Sequence, residues 1–111
     1  MNTVQDNLMY CDLVSVNGII HKVGVCGNSF RIIDAEGIPI TPEILEKNGW
    51  KETEYWHEYQ DGKNTIQCCL PDMRGRINGV EIENFKCEYV HQYQHLLRLC
   101  GLNELADNFK V

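Results

Sequence analysis

The chain has no excess of positive charge and no long hydrophobic run. Its 111 residues include 10 Lys and Arg against 16 Asp and Glu, which gives a net charge of −6. Because nucleic-acid-binding proteins use surplus basic residues to displace counterions from phosphates, this balance argues against general nucleic-acid binding. No apolar stretch approaches the roughly 18 residues of a membrane-spanning helix, and the segment MNTVQDNLMY lacks a secretory pattern. We therefore expect no membrane span and a cytoplasmic location.

The cysteines lack the spacing of a metal or redox motif. There are six, and no two of them have Cys-x-x-Cys spacing, which excludes a zinc ribbon and a thioredoxin-like motif. Thiols stay reduced in the cytoplasm, so we interpret most of these residues as small buried hydrophobic side chains. They are Cys11, Cys26, Cys68, Cys69, Cys87 and Cys100.

Sequence motifs of enzymes are also missing. The chain has no glycine-rich phosphate loop, no Walker-type lysine and no serine-centred nucleophile elbow. Cysteine and histidine are both present, but no local motif indicates an activated thiol or a third orienting group. The acidic residues in the middle of the chain fit the polar face of a strand and its turn better than a catalytic pair: Glu52, Glu54, Glu58 and Asp61. We expect no enzymatic activity and no cofactor.

The clearest structural signal is a short helix within residues 38–50, IPITPEILEKNGW. Thr41 can cap its first turn through the hydroxyl, and Pro42 suits the first helical position, where no N–H is needed. Asn48-Gly49 supplies a left-handed stop at the other end. A helix of about two turns does not persist alone in water, so it must pack against a larger element.

Short alternating runs and turn signals predict strands on both sides of this helix. Asn17-Gly18 is a hairpin signal between two such runs, and Asp61 to Asn64 is a turn between two others. Residues 71–75 break the pattern, and we expect them to form a loop. The predicted strands cover 8–16, 19–25, 30–33, an edge piece at 38–40, 51–60, 65–70, and a strand or hairpin tip within 76–84.

The C-terminal part has helical periodicity, and the whole pattern predicts an α+β fold. From about residue 88 to 100, apolar side chains recur on one helical face: Tyr89, Val90, Tyr93, Leu96, Leu97 and Cys100. Leu102, Leu105 and Phe109 predict a brief helical tail that packs beside it. We predict one domain over residues 1–111, with an N-terminal β-meander or SH3-like half-barrel (1–40), a short helix (41–49), β-hairpins (51–84), a helix (88–101) and a tail (102–111).

Two stretches resemble a group of small proteins from phages and mobile elements of Bacteroidales. One is the helix IPITPEILEKNGW, which follows the group's pattern IPxTxEILxxNGW, and the other is YVHQYQHLLRLCGLNEL over 89–105, which follows its YVHQxQ helix. The resemblance implies a viral or prophage origin and action in the cytoplasm of a bacterial host. It supplies no catalytic residues. Cys68-Cys69 and residues 72–79 are outside the pattern, so a function particular to this member is expected there.

His91 and His95 are the sharpest metal candidates. They lie four residues apart on a predicted helix, a spacing at which two imidazoles can share a metal ion, and Cys87 lies one turn earlier. The helical wheel places all three opposite the apolar face, and no fourth ligand is evident. We interpret them as part of a solvent-exposed face and predict no bound metal, with a structural zinc site as the alternative.

Aromatic and arginine side chains are the candidates for ligand binding. If 51–60 is one strand, Trp56 lies on the face opposite Tyr55 and Tyr59, and the face that does not cover the core has aromatic rings free for a partner. Arg74 and Arg76 flank a glycine in a segment expected to be mobile, an arrangement suited to a phosphate or carboxylate. The alternative is that the nearby Trp50 and the two tyrosines are core and rim residues. The predicted ligand-binding residues are Tyr55, Trp56, Tyr59, Arg74 and Arg76.

Two classes of function follow from these features. The first is a non-catalytic accessory binding protein that counters a host defence, either by sequestering a small anionic nucleotide-like signal or by blocking a host protein. The second is a structural or regulatory module that binds another host or phage protein. A pocket lined by an arginine and an aromatic would favour the first, and a flat apolar patch would favour the second. Both classes of function are compatible with a homo-oligomer.

Overall fold

The structure, a computed structural model, describes residues 8–9, 11–24, 34–70, 74–82 and 88–111. They form an α+β fold, as the sequence predicts. Across these ranges, no helix combines the length and hydropathy that crossing a membrane would require. In chain order the elements are β1 (Leu13–Val16), β2 (Ile19–Lys22), α1 (Pro42–Lys47), β3 (Lys51–Glu52), β4 (His57–Gln60), β5 (Thr65–Cys69), β6 (Arg74–Ile77), β7 (Val80–Glu81), α2 (Val90–Leu99) and α3 (Asn103–Asp107).

The chain divides into two compact units. Unit 1 takes its residues from Met1–Pro39 and Tyr89–Phe109, and unit 2 from Ile40–Glu88 and Lys110–Val111. Unit 1 therefore contains the β1–β2 hairpin with α2 and α3, whereas unit 2 contains α1 and a five-stranded sheet. The single domain over 1–111 stays a prediction.

The hairpin of unit 1 turns at Asn17-Gly18, as predicted. Both residues have positive φ, 51° and 81°, which is the backbone of a type I′ turn. Its strands are shorter than predicted, because the chain bends just before β1. Cys11 has a φ of 70°, and the Asp12 carboxylate accepts a hydrogen bond from the Met9 amide at 2.7 Å. Of the other predicted elements here, 30–33 lies outside the described residues, and 38–40 contributes an isolated bridge between Pro39 and Tyr89.

Helix α2 packs with the predicted apolar side inward. In α3 and the residues after it, the buried side chains differ in part from those predicted for the tail. The buried side chains of α2 include Val90, Tyr93, Leu96 and Leu97. In the tail Phe109 is buried, whereas Leu105 is 40% exposed and Ala106 takes the inward position instead. The reason is that α3 is a separate short helix after Gly101, so its inward face does not continue the periodicity of α2.

The short helix α1 of unit 2 has the predicted caps. The Thr41 hydroxyl accepts a hydrogen bond from the Ile44 amide at 3.2 Å, Pro42 occupies the first turn, and Gly49 follows the helix with a φ of 86°. The Asn48 side chain donates to the carbonyl oxygens of Ile44 and Lys110, both at 2.8 Å. Leu45 and Trp50 are buried, so the helix is held by packing as its length requires.

The sheet of unit 2 is an antiparallel meander in the order β3-β4-β5-β6-β7. The single strand predicted over 51–60 is wrong, because Thr53 to Trp56 form a turn between β3 and β4. The Thr53 amide donates to the Trp56 carbonyl oxygen at 2.7 Å, and the Thr53 hydroxyl accepts from the Trp56 amide at 3.2 Å. These local bonds compete with a continuous ladder and fold the chain back.

The predicted loop over 71–75 is also wrong at its C-terminal end. Strand β6 begins at Arg74, and it pairs with β5 so that Arg74, Gly75 and Arg76 lie opposite Cys69, Cys68 and Gln67. The segment has no hydrophobic alternation of its own, so its strand conformation comes from pairing with a neighbour. The predicted turn at Asn78-Gly79 is confirmed, with φ values of 53° and 82°.

Candidate functional site

One face of the sheet in unit 2 is polar. Residues directly opposite each other on antiparallel strands share a face, and the registers place Glu58, Gln67, Arg76 and Glu81 in one row across β4 to β7. The other face contains buried side chains such as those of Ile66 and Cys68. We call the surface formed by Trp56, Glu58, Gln67, Arg74 and Arg76 the polar face.

Hydrogen bonds across the strands orient the side chains of the polar face. Arg76 donates to the Gln67 side-chain oxygen from Nε at 3.2 Å and from Nη2 at 2.7 Å. Gln67 in turn donates to Glu58 at 2.8 Å, and Gln60 donates to the second oxygen of the same carboxylate at 3.0 Å. The Arg76 guanidinium is therefore held in one orientation by a chain of amide and carboxylate groups.

Both predicted arginines lie against Trp56. The guanidinium carbon of Arg76 is 4.1 Å from the centre of the Trp56 ring, and that of Arg74 is 6.0 Å from it. These distances are within the range of cation–π attraction. Arg74 also pairs with Glu81 at 3.1 Å, and both side chains are about half exposed, at 50% and 48%. The structure thus brings together three of the five predicted ligand-binding residues.

The other two predicted residues lie elsewhere. The Tyr59 ring is 5.9 Å from the ring of Trp50, which is only 3% exposed, so Tyr59 belongs to the packing of the opposite face. Tyr55 is 73% exposed at the tip of the β3–β4 turn. The prediction that Tyr55 shares a strand face with Tyr59 is wrong because of that turn. The core-and-rim interpretation applies to Trp50 and Tyr59.

A cleft of about 370 Å³ lies at the β3–β4 turn. Its lining includes Glu52, Glu54, Tyr55, Trp56, His57 and Leu70, and neither arginine lines it. His57 is 8% exposed, its Nε2 atom makes no hydrogen bond, and that atom is 3.5 Å from a carboxylate oxygen of Glu52. The sequence interpretation assigned Glu52 and Glu54 to a strand face and overlooked His57. The inward position of His57 in the alternation of β4 could have identified it.

The two histidines of unit 1 are not on a solvent-exposed face, so that interpretation is wrong. His91 is 4% exposed, and the side chain of His95 is 19% exposed. His95 Nε2 lies 2.6 Å from one oxygen of the fully buried Asp12, and Arg98 donates to the other oxygen at 2.6 Å. The physical reason is that the segment around Asp12 covers the polar side of α2. We call Asp12, His95 and Arg98 the buried cluster.

The metal candidates do not come together as a ligand set within the described ranges. There, no group of three or more His, Cys, Asp and Glu side chains is placed to hold a metal ion. Cys87 lies outside the described residues. The contact with Asp12 occupies the Nε2 atom of His95, and Asp12 itself is shared with Arg98, so these groups satisfy one another.

His91 is the buried neighbour of this cluster. Burial and, to a smaller extent, the neighbouring His95 together lower the pKa of His91 from 6.5 to about 4, and Asp12 opposes the shift. Its ring is stacked on Tyr89 with centroids 6.0 Å apart and meets the His95 ring edge-on at 5.6 Å. His91 is therefore neutral at pH 7, and its Nδ1 atom is buried without a hydrogen bond.

Gln94 is a buried residue that the sequence interpretation did not identify. Its side-chain oxygen accepts from the Leu13 amide at 2.8 Å, and its side-chain nitrogen donates to the carbonyl oxygens of Cys11 at 2.8 Å and Ala106 at 2.9 Å. All of these partners belong to unit 1. Gln94 therefore links β1, α2 and α3, which is a structural role.

Comparisons with protein families, with curated proteins and with solved structures find no match to this chain. The phage resemblance and the absence of catalysis therefore stay predictions.

Proposed function

We propose that this protein is a non-catalytic binding protein that engages an anionic group through the polar face of unit 2. The observation that supports this proposal is the placement of two arginines on one tryptophan, with Arg76 at 4.1 Å and Arg74 at 6.0 Å from the Trp56 ring centre. Two guanidinium groups on a half-buried aromatic ring present N–H donors to the same region of surface. Such donors suit carboxylate or phosphate oxygens.

The ion pair of Arg74 with Glu81 is weak, and the hydrogen bonds of Arg76 leave some of its N–H groups for a ligand. The ion pair between Arg74 and Glu81 is about half exposed, and exposed pairs of this kind contribute only about 0–1 kcal/mol. A ligand carboxylate can replace Glu81 at little cost. The hydrogen bonds of Arg76 to Gln67 use two of the five N–H groups of a guanidinium. The arginine is thus oriented without being saturated.

The shape of the surface favours a protein partner with exposed carboxylates over a small ligand. Neither arginine lines the cleft beside Trp56, so a nucleotide would not be enclosed by them. A strand face with polar groups in register suits an acidic segment laid across it. The shape of the polar face and the resemblance to phage proteins together support an accessory role in a bacterial cytoplasm. In that role the protein would bind a host or phage protein.

The second candidate is an anionic nucleotide-like ligand. The Trp56 ring favours it, because a base stacked on an aromatic side chain contributes about 1–3 kcal/mol. A phosphate at Arg74 and Arg76 would supply the charge contacts. Sequestration of a nucleotide signal is the function that would follow.

Calorimetric titration with two kinds of probe tests the proposal. The probes are a hexaglutamate peptide and a set of cyclic nucleotides and ADP-ribose. We expect the peptide to bind the wild-type chain and to bind Arg74→Ala, Arg76→Ala at least about tenfold more weakly, a loss of about 1.4 kcal/mol. Lys47→Ala, Lys63→Ala is the matched control, since it removes the same charge from exposed positions of unit 2.

The titration has three informative outcomes. If both variants bind the peptide equally more weakly, net charge alone explains the effect. That outcome would contradict a site on the polar face. Binding of nucleotides without binding of the peptide would select the second candidate. Binding of neither probe would reject the polar face as an anion-binding surface.

A further inference from the structure

We propose that Glu58 and Gln67 are positioning residues of the polar face. They fix the Arg76 guanidinium so that the edge formed by its Nη1 and Nη2 atoms receives a carboxylate of the acidic partner. This inference rests on the proposed function, and it identifies the groups of that site that orient the ligand. It gives Glu58 a favourable role in anion binding, although its negative charge by itself opposes the approach of an anion.

The contacts of Arg76 decide which edge of its guanidinium remains for a ligand. Nε and Nη2 both donate to the Gln67 side-chain oxygen, at 3.2 Å and 2.7 Å, so the edge between these two nitrogens is occupied. On the Nη1–Nη2 edge, two N–H groups lie parallel, and such a pair binds both oxygens of one carboxylate. Gln67 therefore directs an incoming carboxylate to that edge.

Glu58 determines which way the Gln67 amide points. The Gln67 side-chain nitrogen donates to one Glu58 oxygen at 2.8 Å, and the Gln60 side chain donates to the other oxygen at 3.0 Å. A carboxylate only accepts hydrogen bonds, and a guanidinium only donates them. The reversed amide would place its nitrogen against Arg76 and its oxygen against the carboxylate, and both hydrogen bonds would be lost. Glu58 thus keeps the Gln67 oxygen directed at Arg76.

The pairing of the strands holds these three side chains in one row. Glu58 on β4 lies opposite Gln67 on β5, and Gln67 lies opposite Arg76 on β6. Opposite residues on antiparallel strands have Cβ atoms about 4.5–5.5 Å apart, so the register itself brings the groups together. All three residues are half-buried, which limits the competition of water for their hydrogen bonds.

Trp56 supports the guanidinium from a second direction. The Arg76 guanidinium carbon lies over the Trp56 ring, 4.1 Å from its centre. With the ring on one side and Gln67 on one edge, Arg76 is ordered before a ligand arrives. Such preorganisation strengthens binding, because the ligand does not have to immobilise a flexible side chain.

NMR of the ligand-free chain tests the positioning role. The Nε–H signal of Arg76 is identified as the one that is lost in Arg76→Lys. We expect this bond to be rigid on the nanosecond timescale in the wild type and mobile in Gln67→Leu and Glu58→Leu. Glu81→Leu is the matched control and should leave the bond rigid, since Glu81 lies opposite Arg76 on β7 but pairs with Arg74. Equal mobility in the wild type and in Glu58→Leu would overturn the positioning role.

Titration of the two glutamate variants with the hexaglutamate peptide should give changes of opposite sign. Glu58→Leu and Glu81→Leu each remove one negative charge, so charge alone predicts that both bind the anionic peptide more tightly. We expect Glu81→Leu to bind about twofold more tightly and Glu58→Leu about threefold more weakly, because the peptide must then order Arg76 itself. Tighter binding by both variants contradicts the proposal.

Arg76→Lys separates the guanidinium edge from the charge. Lysine keeps the positive charge but lacks two parallel N–H groups, so Arg76→Lys should weaken peptide binding about tenfold. Arg74→Lys makes the same change at the exposed arginine and should weaken binding about twofold. Equal effects of the two lysine variants contradict a special role for the Arg76 edge.

The two measurements distinguish failure of this proposal from failure of the proposed function. If Arg76 is rigid in the wild type but the peptide does not bind, the anion-binding function fails and the positioning role fails with it. If the peptide binds the wild type and Glu58→Leu binds it more tightly, anion binding stands and only the positioning role is overturned.

Discussion

Unit 1 and unit 2 each contain a cluster in which an arginine meets a carboxylate and other polar groups, but the two clusters differ in burial. In unit 1, Asp12 is fully buried between Arg98 and His95. In unit 2, Arg74 and Glu81 are both about half exposed, and Arg76 lies on the Trp56 ring. Since the strength of an electrostatic contact depends on its exposure, we expect the buried cluster to contribute more to stability than the exposed pair.

The largest expected effect comes from breaking the buried cluster. Asp12→Asn should lower the free energy of unfolding by about 3 kcal/mol, because it removes the buried carboxylate from Arg98 and leaves it the longer ion pair with Asp107 at 3.4 Å. Denaturant unfolding followed by circular dichroism measures this. Glu81→Gln, which removes the exposed partner of Arg74, is the comparison and should cost less than about 1 kcal/mol. Similar losses in the two variants would remove the distinction between the clusters.

The next largest loss of stability is expected on the apolar side of α2. Leu96 is fully buried, so Leu96→Ala should cost about 2–5 kcal/mol through lost contacts and the cavity that remains. Leu99 is on the same helix and 69% exposed, so Leu99→Ala is the control and should change stability by less than about 0.5 kcal/mol. A small loss for Leu96→Ala would contradict the helix orientation.

The neutral His91 predicts a pH dependence that belongs to unit 1. Its pKa is lowered from 6.5 to about 4 in the folded chain, so the unfolded chain binds the proton first as pH falls. The stabilisation is complete above pH 6.5 and is lost progressively down to about pH 4, by an amount of about 3 kcal/mol.

His91→Gln isolates this contribution, because glutamine does not titrate. The groups that face His91 are His95, Asp12 and Tyr89, and they are the same in both proteins. The wild-type unfolding free energy should therefore fall more steeply than that of the variant between pH 6.5 and pH 4. Parallel curves would show that His91 is accessible to protons in the folded state.

The smallest expected stability effect is on the polar face. Arg76→Ala should lower the free energy of unfolding by less than about 1 kcal/mol, since its contacts with Gln67 and Trp56 are partly exposed. Binding of the hexaglutamate peptide should fall about tenfold in the same variant. Thermal unfolding and calorimetry on one protein preparation measure both quantities. A large stability loss with unchanged binding would assign Arg76 to the fold.

The candidate site was only partly predictable. Trp56, Arg74 and Arg76 were identified by residue type, yet the reasons offered for them differ from the structure: Arg74-Gly75-Arg76 is a paired strand and not a mobile loop. Tyr59 was predicted as a ligand-binding residue on the same grounds as Trp56, because both are aromatic residues of one segment. In the structure its ring packs beside Trp50 instead. Asp12 gave no recognisable signal, because a single aspartate acquires its role only from the groups that surround it.

The sequence by itself determined the features that depend on neighbouring residues. The caps of α1, the Asn-Gly turns and the apolar side of α2 are each encoded within a few positions, where backbone preferences and helical spacing act directly. The tertiary structure decided the contacts between residues far apart in the chain. Asp12 meets His95 across 83 positions, and Gln67 meets Arg76 only because β5 and β6 pair. Such contacts depend on which strands pair and which faces are buried, and no local pattern contains that information.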